Sequence, residues 1–204
     1  MGTDIHHKFQ KEDEDGKWHD IDLPRDKYGD YAVPFNINRH YLLFSVLAGV
    51  RNGHGFAGVY THEPLTPIAE KRGLPEGEDD YDFQYGEHSQ SWLTSTEILD
   101  YFKSEHNMVQ FGYISYLTYI VWDGEEAPDC YASYVSGEWV HDASAEFGKS
   151  THDIFKSSLD DSNKGWVRVK WKVSINETLS YFVQKIELLH ERYGEVRLVF
   201  GFDS

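Results

Sequence analysis

The C-terminal third of the chain constrains the fold most. Trp166-Val167-Arg168-Val169-Lys170-Trp171-Lys172-Val173 alternates apolar side chains with cations, the period of two expected of an antiparallel strand that buries one face and wets the other. Ser174-Ile175-Asn176-Glu177 then supplies helix-start chemistry, and Ile175, Leu179, Phe182, Val183, Ile186, Leu189 and Tyr193 fall on one helical stripe. Gly194 is placed to close that helix. A last strand, Glu195–Asp203, puts Val196, Leu198, Phe200 and Phe202 on one face. Strand, helix, strand at the end of a mixed chain predicts an α+β fold: a mainly antiparallel sheet with helices packed on one side.

Upstream, Thr3–Gln10 reads as a strand, with Ile5 and Phe9 an even step apart, and a Gly turn within Asp13–Lys17 leads to a second strand around Trp18–Ile21. A helix is predicted from about Asn38 to Val50, capped by Asn36 or Asn38. Its apolar positions Tyr41, Leu42, Leu43, Phe44, Val46, Leu47 and Val50 nearly encircle it, so it is expected to be buried on most sides. Arg51 falls in its last turn, where a cation suits the helix dipole. Thr94-Ser95-Thr96-Glu97 is a capping box that starts a second, short helix with Ile98, Leu99 and Phe102 on its apolar side.

Between these helices lies a long loop, about residues 52–93, with little helical or strand periodicity. Such length is more usual for binding loops and active-site lids than for plain connectors. Met108–Trp122 is rich in β-branched and aromatic residues and reads as part strand, although Gly112 interrupts it. Ala127–His141 reads as a pair of short strands about Ser136-Gly137, and Ala143–Lys164 fits neither period.

At 204 residues the chain suits a single globular domain, 1–204. Its 40% hydrophobic and 16% aromatic content excludes a disordered polymer. A net charge of −16 argues against direct DNA or RNA binding and against an anionic membrane surface. Cys130 is the single cysteine, which excludes an intramolecular disulfide and a cysteine-cluster metal site and fits a reducing cytoplasm. No apolar run approaches the roughly eighteen residues of a membrane span, and the polar opening is not the pattern of a signal peptide. The aromatic surplus and the many-sided helix make a homo-oligomer an expectation.

Three groups of residues could carry chemistry. Asp4 and His6 lie two apart on a predicted strand and share a face. With His88 they would make a two-His, one-carboxylate set for a divalent metal, or an acid–base pair; the plainer alternative is a hydrogen-bonded pair near a strand end. Arg51, Asn52 and Arg72, with glycines 53, 55 and 58, offer guanidinium forks, an amide and accessible backbone N–H groups, an inventory that grips phosphate. The plainer alternative has both arginines tying down loop carbonyls or acids. His88, Ser89 and Ser91 sit just ahead of a helix start, where an anion is electrostatically welcome, and Trp92 or Phe56 could stack on a base; the plainer alternative has Ser91 or Thr94 capping the helix and Trp92 in the core. Neither a P-loop nor a Gly-x-Ser-x-Gly elbow is present.

The opening Met1-Gly2-Thr3-Asp4-Ile5-His6, with Leu47–Asn52, Pro67–Pro75, His88–Leu93 and the terminal Val196–Asp203, resembles a family of uncharacterised bacteriophage proteins that open with Met-Gly-x-Asp-Ile-His. The family has Cys where this chain has Thr3. The resemblance implies phage origin, and with it the cytoplasm of an infected bacterial host. The expected function is to bind a phosphate-containing small molecule, sequestering a host nucleotide immune signal as an anti-defence viral protein. Two alternatives stand beside it: a phosphoesterase of a nucleotide ligand, metal-dependent or acid–base, and an acidic inhibitor that binds a host protein.

Overall fold

The computed structural model describes residues 2–79, 84–135, 140–142 and 166–203, with backbone alone for Phe56 and 140–142. The chain divides into two compact units. The first comprises Met1–Asn52, Leu65–His106 and Asn176–Ser204; the second comprises Gly53–Pro64 and Asn107–Ile175. The architecture is α+β, with mainly antiparallel sheets as the alternating patterns require. The expected strands about Ser136-Gly137 and the polar stretch from residue 143 lie largely outside the described residues.

In the first unit β1 (Asp4–Glu12) and β2 (Trp18–Asp20) form the expected hairpin. Asp13 closes its turn: its backbone N–H donates to the Lys17 carbonyl at 2.8 Å, and its carboxylate accepts from the N–H groups of Asp15 and Lys17. The last strand, β7 (Val196–Asp203), enters the middle of the four-stranded sheet, between β1 and a strand from the end of the long loop. It pairs antiparallel with β1, Asp4 opposite Asp203, and with β3 (His88–Thr94).

Every residue of β7 except Asp203 is buried, because both faces of the sheet are covered. On one face Ile5, Phe9, Leu93, Leu198, Phe200 and Phe202 form the apolar layer, each ring or branched chain contributing about 1.5–3 kcal/mol of burial. Phe44 of α1 (Tyr41–Ala48) packs its ring 5.0 Å from that of Phe202. The opposite face is covered by the long loop. At Gly201 a Cβ would overlap the Tyr85 carbonyl oxygen, so only glycine lets the loop lie this close, and the Glu87 N–H donates to the Phe202 carbonyl at 2.7 Å.

Beneath the loop runs a polar network. Arg197 Nε donates to Gln10 Oε1 at 2.7 Å, Gln10 Nε2 donates to Asp20 and Glu78, and the Tyr85 hydroxyl donates to Glu78. The Arg197 guanidinium lies 4.6 Å from the Trp18 ring and 5.9 Å from that of Trp92. Much of the non-periodic loop is thus a second covering layer, with polar groups satisfied by one another as burial demands.

Two helix boundaries differ from expectation. α1 is capped by His40, whose Nδ1 accepts from the Leu43 N–H at 3.4 Å, not by Asn36 or Asn38. It ends at Ala48 because Gly49 takes the left-handed conformation, φ 67°. Arg51 therefore lies beyond the last turn, itself at φ 54°. The expected loop also ends earlier, since His88–Thr94 is strand β3, which runs directly into α2 (Ser95–Phe102) through the Thr94–Glu97 capping box. The C-terminal helical stretch is broken at Leu179 into α4 (Ile175–Thr178) and α5 (Ser180–Tyr193), the latter closed by Gly194 at φ 78°.

In the second unit β4 (Asn107–Ser115) pairs antiparallel with β6 (Trp166–Ser174), and β5 (Val140–Asp142) pairs parallel with β6. Ile114, Tyr119, Val167, Val169 and Trp171 form its core. Gly112 belongs to the strand: a Cβ there would stand 2.7 Å from the Trp171 ring, so the glycine makes room for the indole. Ser115 ends the strand by capping α3 (Tyr116–Val121), its hydroxyl accepting from the Thr118 N–H at 3.0 Å. Residues 61–63 run beside β4, with the Phe111 N–H donating to the Thr61 carbonyl and the Glu63 N–H to that of Val109. Among the described residues no helix is long and apolar enough to cross a membrane.

Candidate functional site

The residues singled out from sequence are dispersed. Asp4 and His6 share a face at the end of β1, as their spacing requires. His88 pairs with Phe202, the partner of Ile5 on β7, and stacks on its ring at 6.2 Å. Directly paired residues of an antiparallel sheet share a face, so His88 lies on the side opposite Asp4 and His6. The expected Asp4–His6–His88 metal set therefore does not assemble, and among the described residues no group of three His, Cys, Asp or Glu side chains is placed to hold a metal ion.

Asp4 and His6 each have a closer partner. Both Asp4 carboxylate oxygens accept from Arg39, Oδ1 from Nε at 2.8 Å and Oδ2 from Nη2 at 2.5 Å. His6 Nε2 lies 3.0 Å from Asp203 Oδ2, and that imidazole and the Asp4 backbone N–H help hold the Asp203 carboxyl below its usual range against the opposing effect of burial.

The expected phosphate-gripping residues are likewise engaged in the framework. Arg51 Nε donates to Thr3 Oγ1 at 2.8 Å. The Asn52 amide brackets Leu65, donating to its carbonyl and accepting from its N–H, both at 2.7 Å. Arg72 forks onto Glu97, the α2 capping-box acid, and lies 4.6 Å from the Trp92 ring. The Arg72 N–H is held by Ser91 Oγ at 3.1 Å, and Ser89 Oγ lies 3.1 Å from His88 Nδ1. The Phe56 side chain lies outside the described residues.

A different cluster has charge to spare. A groove of about 140 Å³ opens between residues 37–40, at the start of α1, and the first turns of α5. On its wall stands Lys185, only 6% exposed. Its ammonium donates to the Asn36 carbonyl and lies 4.5 Å from the Tyr181 ring, and among the described residues no carboxylate forms an ion pair with it. Burial lowers its pKa. A lysine this buried is normally paired with an acid, because desolvating an ammonium is costly.

Two further features make the groove electropositive. It lies at the N-terminal end of α1, whose first turn carries no acid to neutralise the helix dipole. Arg39 also lines it, while its guanidinium is occupied by Asp4. His40 contributes no charge of its own: burial lowers its pKa and its ring serves as the helix cap. The lining includes neither carboxylate nor thiol. Compared with known protein families, with characterised proteins and with solved structures, the chain matches none.

One other constellation has the composition of a hydrolytic triad. Ser95 Oγ lies 2.8 Å from His190 Nδ1 and donates to Glu195 Oε1 at 2.8 Å. Ser95 is 1% exposed, and its oxygen also accepts the Val196 N–H at 3.0 Å. Glu195 meanwhile accepts from the Thr96 N–H and hydroxyl at the start of α2. The acid is bonded to the hydroxyl instead of orienting the imidazole, so the set lacks the nucleophile–base–acid order. It joins the start of α2 to the last turn of α5 and the start of β7.

Lys185, Arg39 and His40 were not among the residues singled out from sequence. A signal existed for Lys185: it lies three residues after Phe182 and four before Leu189, within the apolar stripe of α5. A cation at a stripe position is a buried cation in waiting.

Proposed function

We propose that the protein is a small-molecule binding protein, and that the groove beside Lys185 receives an oxyanion of its ligand. The observation that carries this reading is the buried Lys185 ammonium, unmatched by any described carboxylate, at the acid-free start of α1. An anion placed there would accept from Lys185 and interact favourably with the helix dipole. Binding is favoured over catalysis because the lining offers no carboxylate or thiol and its imidazole is committed as a cap.

The ligand class we infer is a phosphate-bearing small molecule. The finer reading, a phage protein that sequesters a host nucleotide signal, rests on the resemblance of the opening and terminal motifs and on a groove that needs no catalytic group to be useful. Isothermal titration with inorganic phosphate, cyclic nucleotides, nucleoside monophosphates and ADP-ribose tests it, using wild type and Lys185→Met. At least one phosphate compound should bind wild type, and Lys185→Met should weaken it about 10- to 100-fold, the value of one charge-assisted hydrogen bond. Failure of every compound to bind wild type, or equal binding by the variant, would overturn the reading.

A further inference from the structure

The charges around the groove can be counted, and the count selects a ligand. Two cationic side chains line it, Lys185 and Arg39. Arg39 is neutralised by Asp4, whose two oxygens both accept from the guanidinium, and the neighbouring Asp203 carboxylate acts on it as well. One full positive charge remains, on Lys185, with roughly half a charge from the start of α1. The chain as a whole carries a net charge of −16 and opposes any anion in excess of that.

Phosphodiesters and carboxylates bring a single negative charge, whereas a phosphomonoester carries about −1.5 to −2 at pH 7. Size sets a separate limit. A groove of about 140 Å³ is close to the roughly 150 Å³ cavity that holds a benzene molecule, enough for one oxyanion group with short substituents.

Resting on the binding reading above, we propose that Asp4 is a specificity-determining residue: by occupying Arg39 it leaves the groove one unmatched charge and so selects a singly charged oxyanion over a phosphomonoester. The side chains of Asp4 and Arg39 are 51% and 43% exposed, so the pair can be opened without disturbing the core. Gly2 leaves room for Arg39, since a Cβ there would overlap its guanidinium.

The test compares dimethyl phosphate, methyl phosphate and acetate at pH 8, followed by the amide resonances of α1 in wild type and Asp4→Asn. In wild type, dimethyl phosphate or acetate should bind at least about fivefold more tightly than methyl phosphate; the tighter of the two assigns the source as phosphodiester or carboxylate. Asp4→Asn removes the carboxylate bonded to Arg39, leaving only the more distant Asp203, and should reverse the order in favour of methyl phosphate. A wild-type preference for methyl phosphate, or an order unchanged in Asp4→Asn, overturns this inference while leaving the binding site standing. If none of the three probes moves the α1 resonances of wild type, the site at Lys185 fails and the inference with it.

Discussion

The ammonium of Lys185 on α5 donates to the backbone carbonyl of Asn36, 149 residues earlier in the chain, and no described carboxylate neutralises it. An unmatched buried charge is a standing cost to the fold, and one that a binding site explains. Replacing it with methionine, similar in length and apolar, should therefore stabilise the protein by about 1 kcal/mol or more in urea unfolding. A loss of stability would mean that Lys185 serves the framework alone.

The same residue sets an alkaline trend. Burial holds the Lys185 pKa below its unfolded value, so between the two values the unfolded chain binds more protons than the native one. Its contribution to native stability is then unfavourable at neutral pH and improves as pH rises towards the ordinary lysine pKa. The stability difference between Lys185→Met and wild type should narrow as pH is raised from 7 to 10. A constant difference would contradict the burial argument.

His7 gives the acid counterpart. Burial pushes its pKa down to about 4, against the raising effect of its bond to the Phe35 carbonyl at 3.4 Å. Stability from the neutral ring is fully present above pH 6.5 and is lost as pH falls through 6.5 towards 4. The loss should be of the order of 3 kcal/mol, by the size of the shift. Urea unfolding at pH 7.5 and 4.5 should show wild type losing more stability than His7→Phe, which keeps ring packing near Phe9 and Tyr31. Equal losses would place His7 in contact with water in the native state.

Gly201→Ala tests the loop as a covering layer. The added methyl would run into the Tyr85 carbonyl, and backbone yields less easily than a side chain. A loss of about 3 kcal/mol or more is expected in thermal or urea unfolding. Near-wild-type stability would show that the loop does not press on β7.

Much of the framework is legible in the sequence, and the misses have causes distant in the chain. The alternation of Trp166–Val173, the stripe of α5, the Gly194 closure and the Thr94–Glu97 box all correspond to elements observed, because each depends on neighbours close in sequence. The burial of both faces of β7 was not legible. Its second cover is a polar loop whose groups satisfy one another at long range, Glu78 with Gln10 and Gln10 with Arg197, and such pairing leaves no period. Gly112 read as an interruption because the indole it accommodates lies on another strand.

The site was read less well than the fold. Arg51, Asn52 and Arg72 carry the right chemistry for anions, but Thr3, Leu65 and Glu97 already meet it. Lys185 lies at a stripe position of α5, which points to burial but not to what buries it. What buries it is the chain around Asn36, and no local pattern in α5 announces that segment.

Tyr41 supplies a control independent of the groove's charge. Its hydroxyl is the one buried side-chain polar atom without a hydrogen-bond partner among the described residues. Tyr41→Phe should therefore leave stability unchanged or raise it by up to about 1 kcal/mol in urea unfolding, while a fall of similar size would reveal a partner for that oxygen.

The most direct measurement is a calorimetric titration of wild type and Lys185→Met, both first shown to be folded by circular dichroism, with the phosphate compounds named above. Saturable binding by wild type, weakened at least tenfold in the variant, is the expected result. Indistinguishable titrations of the two proteins, whether both bind or neither does, would contradict an anion site at Lys185.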